Sequence, residues 1–175
     1  MKIRIKNTKI TTIIIGWIQI IGGIYGIGLM SRLMLQQNNP INGAVLLIVL
    51  LGLSLFIFSI YSGRYLLNSN KIKLGIILSL INFVLQVVNF RFSGYSLTYS
   101  SGIDLIVGVN NGFNFEFGII RSLFSSSINT DNKDFALSIN LASLLIIWIL
   151  VDIYDELFDN KEHVIQDSDK FINND

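Results

Sequence analysis

The sequence contains no cysteine, one proline and one histidine, and only 14% of its 175 residues are Asp, Glu, Lys or Arg. Without cysteine there is no disulfide scaffold, no thiolate metal site and no thiol nucleophile. Soluble domains carry roughly 25% charge. A chain this short and this poor in charge cannot cover a globule with solvated side chains. Its formal net charge of +1 provides no field for nucleic acid. Hydrophobic residues make up 51% of the chain. The composition points to a single integral membrane domain, 1–175, with the lipid bilayer as its first partner.

Gaps between charges locate the expected spans. Lys9 and Arg32 bracket 22 uncharged residues, and Arg32 and Arg64 bracket 31 more. Lys73 and Arg91, and then Asp134 and Asp152, each bracket 17. A spanning helix needs about 20 mainly apolar residues. The expectation is four transmembrane helices, at 10–31, 44–66, 72–90 and 135–153. A soluble four-helix core would leave segment two almost no polar face. The basic N-terminus followed by an apolar run also suits a signal peptide, but the run is long and no small-x-small site follows it. It reads as an uncleaved first helix.

Lys and Arg are unevenly shared between the two sides. Nine fall on the side of the N-terminus, the segment two–three connection and the tail, and four on the other. The positive-inside rule places both termini in the cytoplasm. The Ile- and Asn-rich composition suggests an AT-rich genome, and a bacterial inner (plasma) membrane fits it.

Segment one carries a glycine seam. Gly22 and Gly26 form a small-xxx-small pair, and Gly16, Gln19, Gly23, Gly26 and Met30 recur at helical spacing. Packing inside the chain's own bundle and dimerisation both account for it, and the first is favoured. On segment three, Gly75, Ser79, Asn82, Gln86 and Asn89 form one polar stripe. Lipid cannot satisfy amides, so the stripe faces protein or water. Gln19, Asn140 and Ser143 are its expected partners. Interhelical hydrogen bonding is the favoured reading, and a polar path for a small solute is the alternative.

No Asp, Glu, Lys, Arg or His lies in the central part of any expected span. Proton-coupled transport and intramembrane proteolysis need such groups. No catalytic, cofactor-binding or metal-ligating set emerges, and the chain reads as a non-enzyme.

The 92–134 connection switches to period two and reads as an extracytoplasmic β insertion. A small antiparallel meander of three strands is expected, at about 94–100, 103–109 and 113–119. A three-residue loop Asn110-Asn111-Gly112 pairs Val109 with Phe113, Val107 with Phe115, Leu105 with Phe117 and Ile103 with Ile119. A similar loop Ser100-Ser101-Gly102 would pair Tyr99 with Ile103 and Leu97 with Leu105. Both turns put the apolar residues on one face, as register requires, with Ile106 the exception. That face, with Tyr95, Leu97, Tyr99, Val107, Phe113, Phe115 and Phe117, is the candidate interaction face. Arg121–Ile128 is expected to fold back as a helix or a fourth strand. Asp104 and Glu116 share the other face. Paired carboxylates can do acid–base work or bind a cation, and with Arg121 they are the sites an enzyme would use. The favoured reading is that they keep the wet face soluble.

The 154–175 tail carries net negative charge and is expected to be cytoplasmic. In outline, four spans with an external sheet resemble claudin-like proteins. There the sheet lies between the first two spans and carries Trp and paired Cys. Here it lies between spans three and four without Cys, so the likeness is architectural and implies no function. The functional expectation is a scaffold or assembly component that forms a homo-oligomer or binds a membrane protein partner. The alternative is a small channel, carrier or lipid-binding protein using the stripe on segment three.

Overall fold

The computed structural model describes residues 7–36, 43–109, 112–127 and 135–159. Two long helices come first, α1 (Thr8–Gln36) and α2 (Gly43–Leu67). Both are long and apolar enough to cross a membrane, and they are the only two such helices among the described residues. They pack antiparallel along the glycine seam. Gly16 meets Gly63 and Leu67, Gly23 meets Ile60, and Gly26 meets the Phe56 ring. Away from this contact they present Ile14, Trp17, Ile21, Leu47 and Leu50 outward.

The other two helices are short. After a 3-10 turn at Ser69–Lys71 comes α3 (Ile72–Val84), with 13 residues. α4 (Leu141–Tyr154) has 14 and runs into a π turn at Asp155–Asp159. At about 1.5 Å per residue each covers roughly 20 Å, against about 30 Å of hydrocarbon. The chain is therefore not an all-α bundle of four spans. The expected third span, 72–90, stops as a helix at Val84 and becomes strand β1 (Val88–Phe92). The expected fourth, 135–153, begins as strand β4 (Ala136–Asn140). Asn140 starts α4 by capping it, its side chain accepting from the Ala142 and Ser143 amides. The likeness to claudin-like proteins lapses with the four spans.

Between β1 and β4 runs one long hairpin, β2 (Tyr95–Val109) and β3 (Phe113–Ser127). Near its tip the register is the expected one: Val109 opposes Phe113, Val107 Phe115, Leu105 Phe117 and Ile103 Ile119. The loop residues Asn110 and Asn111 lie outside the described residues. The second expected turn does not form. Ser100, Ser101 and Gly102 continue β2 and oppose Leu123, Ser122 and Arg121, so the meander is corrected to a hairpin. Gly102 has φ +107 and Ile120 φ +56, and the register slips here by one residue, Ile120 being the extra one. This is a β-bulge, which bends and twists a strand.

The bend lets β2 reach back on itself. Its first residues pair with β1 and its last with β4, while β1 and β4 pair with each other. The three strands close a small ring, and β3 follows β2 around it. Glycine is required at the bend because α1 crosses there. A Cβ on Gly102 would meet Ile18, and one on Gly22 would run into the Gly102 backbone. Gly22 thus serves the sheet, while Gly26 serves α2.

Two apolar cores result. Ile15, Leu66, Ile76, Phe83, Ile146, Leu150 and Ile153 fill the space among the four helices. Met30, Phe56 and Tyr99, with Phe124 against them, join the α1–α2 pair to the hairpin. The Phe56 and Tyr99 rings stand 5.7 Å apart, in the tilted range that aromatic pairs favour.

Candidate functional site

Residues 98–105 of β2 pair with no strand on the edge away from β3, since the pairing with β1 ends at Leu97 and that with β4 begins at Ile106. Buried backbone amides need acceptors. Side-chain amides supply them. The Asn89 oxygen accepts from the Tyr99 amide at 3.1 Å and the Gln86 oxygen from the Ser101 amide at 2.9 Å. The Asn140 oxygen accepts from the Leu105 amide at 3.1 Å. Three side chains thus take the place of a missing strand.

A second layer ties this edge to the helices. The Asn82 amide donates to Ser59 at 3.2 Å and to Gln19 at 3.4 Å. The Tyr99 hydroxyl lies 3.0 Å from both the Leu55 carbonyl and the Asn82 oxygen, so its single proton serves one at a time. Ser59 also meets the Ser101 hydroxyl at 3.0 Å. Burial pushes the Tyr99 hydroxyl pKa well up, so it stays protonated and remains a donor.

The polar residues picked out by periodicity are therefore largely brought together. Gln19, Asn82, Gln86, Asn89 and Asn140 are all buried and all bonded to the sheet or to one another. Ser79 is buried too, but its hydroxyl has no partner and stands outside the network. Sequence reading missed Ser59, Tyr99 and Ser101 as members. Tyr99 was placed on the apolar face by the turn at Ser100–Gly102 that does not form.

The curl of the hairpin encloses a polar cleft of about 350 Å³ lined by all four strands, with Asn89, Thr98, Glu116, Arg121 and Ser138 in its wall. Asp104 does not line the cleft but lies beside Arg121 of its wall, fully buried. Its Oδ2 accepts from the Ser100 hydroxyl at 3.1 Å and sits 3.7 Å from the Arg121 Nε, and Arg121 also donates to Glu116 at 2.7 Å. Asp104 and Glu116 do share a face, but Asp104 is no solubilising surface acid. Burial pushes its carboxyl above the ordinary value, against the opposing pull of Arg121 and then of Ser100. Among the described residues no three His, Cys, Asp or Glu side chains gather where a metal ion could be held.

The other face of the hairpin is apolar and open. Phe113, Phe115, Phe117 and Ile119 are each at least 60% exposed, and Tyr95 and Val109 are also exposed. Leu97 and Val107 are half-buried, and Tyr99 is turned inward to Phe56. Arg121–Ser127 prolongs β3 instead of folding back over this face. Ile128 and residues 160–175 of the acidic tail lie outside the described residues. Where the hairpin bends against α1, Trp17, Ile18, Ile21, Ile103, Ile119 and Ile120 line an apolar recess of about 350 Å³.

No protein-family model matches the chain, no curated protein is significantly similar to it, and no solved structure matches its fold.

Proposed function

We propose that this is a non-enzymatic, multi-pass membrane protein that assembles with a second protein chain through the apolar face of its hairpin. The observation that carries this reading is the row Val109, Phe113, Phe115, Phe117 and Ile119, all more than half exposed on one side of a paired, register-fixed sheet. Contiguous apolar patches of that kind mark interaction surfaces. Aromatic side chains are the usual anchors of such surfaces.

The orientation proposed has both termini in the cytoplasm of a bacterial inner membrane. Thr8 at the start of α1 contacts Glu156 beyond α4, and Lys73 at the start of α3 lies over the Tyr154 and Phe158 rings. The start of α1, the α2–α3 junction and the end of α4 thus share one end of the helices. That arrangement supports a single positive-inside end. The sheet then sits toward the other side.

The alternative of a channel, carrier or lipid-binding path along α3 finds less support. Asn82 and Gln86 are fully buried, and their oxygens are already engaged by the sheet. The test is native mass spectrometry of the full chain in nanodiscs formed directly from its host membrane. Wild type is expected with a second chain, whether a copy of itself or another protein, in fixed ratio. Phe115→Ser with Phe117→Ser is expected to reduce that complex at least tenfold while the chain stays folded. A wild-type protein recovered wholly as a monomer contradicts the reading.

A further inference from the structure

We propose that the cleft inside the curled hairpin binds a phosphate group, with Arg91 as the cation that meets it. The proposal rests on the membrane reading for the source of that group. It does not rest on assembly through the aromatic row, which lies on the other face because Asn114, Glu116 and Gly118 alternate with the phenylalanines.

The strand registers build the wall in levels. Arg91 opposes Ser96 on one side and Ala136 on the other. Two residues nearer the helices, Asn89 opposes Ser138, Ser138 opposes Gly108, and Gly108 opposes Asn114. At the same level Thr98 opposes Ser125. All of these line the cleft. Arg91 thus stands one level above a girdle that carries the Thr98, Ser125 and Ser138 hydroxyls. Among the described residues these three hydroxyls and the Arg91 guanidinium have no partner.

Charge selects the ligand. The charged side chains of the wall are Arg91, Arg121 and Glu116. Arg121 and Glu116 are joined at 2.7 Å and cancel. Glu116 opposes Ile106, one level below the girdle, so roughly 13 Å of strand separates it from the level of Arg91. The buried Asp104 carboxylate lies against Arg121, a level lower still. The upper cleft is left with one free positive charge over a girdle of hydroxyls. A guanidinium presents a fork of N–H donors that fits a phosphate. Hydroxyls can donate to the remaining oxygens. A volume of about 350 Å³ falls at the lower end of the range for small-ligand sites.

Depth points to the same ligand. Ser125 shares a recess with Met30, Leu33 and Met34 of α1. Those residues flank Arg32, the first charge after the uncharged run that follows Lys9. The girdle therefore lies level with the end of the apolar part of α1, where hydrocarbon gives way to headgroups. A phospholipid headgroup and a soluble phosphate ester both offer phosphate there.

The test is calorimetric titration of the full chain in maltoside micelles, which carry no phosphate. Glycerol 3-phosphate is the soluble probe and dihexanoylphosphatidylglycerol the headgroup probe, with glycerol and ethanolamine as neutral and cationic controls. At least one phosphate probe is expected to bind saturably at millimolar concentration or below. Saturation by the lipid alone assigns the site to a headgroup, and saturation by glycerol 3-phosphate to a soluble ester. The soluble probe needs no membrane, so that arm tests the cleft apart from the membrane reading. Arg91→Gln, at an exposed position, is expected to weaken binding at least tenfold. Ser125→Trp, which fills the cleft from β3, is expected to do the same and decides the matter if Arg91→Gln does not fold. The proposal is overturned if neither phosphate probe saturates. It is equally overturned if a control binds as tightly, or if binding persists unchanged in a folded variant.

Discussion

Asp104 lies beneath the Arg121 side chain with one carboxylate oxygen engaged and the other not. Desolvation raises its folded-state pKa above the ordinary 3.8. The folded chain then holds this proton more tightly than the unfolded chain does. The resulting penalty on folding is complete above the folded pKa and is gone below the unfolded one. Asp104→Asn should therefore raise the thermal unfolding midpoint at pH 7, and the gain should shrink as the pH falls toward 4. A variant no more stable than wild type at pH 7 would show that Arg121 outweighs the burial. Chemistry at this scale was only partly legible in the sequence. Spacing placed Asp104 and Glu116 on one face, but burial depends on the bend at Gly102, which alternation does not encode. Asn140 read as a polar residue inside a span, and it acts as the helix cap and as an acceptor for the Leu105 amide.

At the scale of elements, the hairpin tip was legible because two strands of alternating residues around Asn110-Asn111-Gly112 admit one register with a single apolar face. The second turn was not, because a glycine with positive φ serves a bulge as readily as a turn. Only α1, crossing at Gly22, distinguishes the two. On the facing strand, between the partners of Gly102 and Ile103, the extra residue Ile120 sits at φ +56. That conformation is costly for a β-branched residue, at roughly 1–3 kcal/mol. Ile120 is half exposed, so little packing is lost by trimming it. Ile120→Gly should keep the bulge and stabilise the protein by about 1 kcal/mol in denaturant unfolding. A loss of stability would mean that the isoleucine's apolar contacts outweigh the strain. The ends of α3 and α4 were misjudged for a related reason. Apolar runs of 17 residues between charges hold a helix and a short strand equally well.

At the scale of the whole molecule, helices and sheet are joined by a polar seam. The stripe Asn82, Gln86 and Asn89 was visible at helical spacing, together with its need for a protein partner. Its partner was not, since Gln86 and Asn89 lie beyond the last turn of α3 and their oxygens meet backbone amides, which leave no mark in a sequence. Each such bond contributes about 1 kcal/mol, and each buried amide left without one costs about 1–3 kcal/mol. The seam therefore fixes how β2 lies against the helices, and with it the placing of both the cleft and the aromatic face. Amide hydrogen exchange on the full chain in nanodiscs, resolved by residue, tests this most directly. Tyr99, Ser101 and Leu105 should exchange as slowly as the paired residues of β2, although no strand flanks them on that edge. In Gln86→Leu the Ser101 amide should lose protection at least tenfold relative to the hairpin tip. Fast exchange at all three in wild type, or an unchanged Ser101 in the variant, would contradict the account.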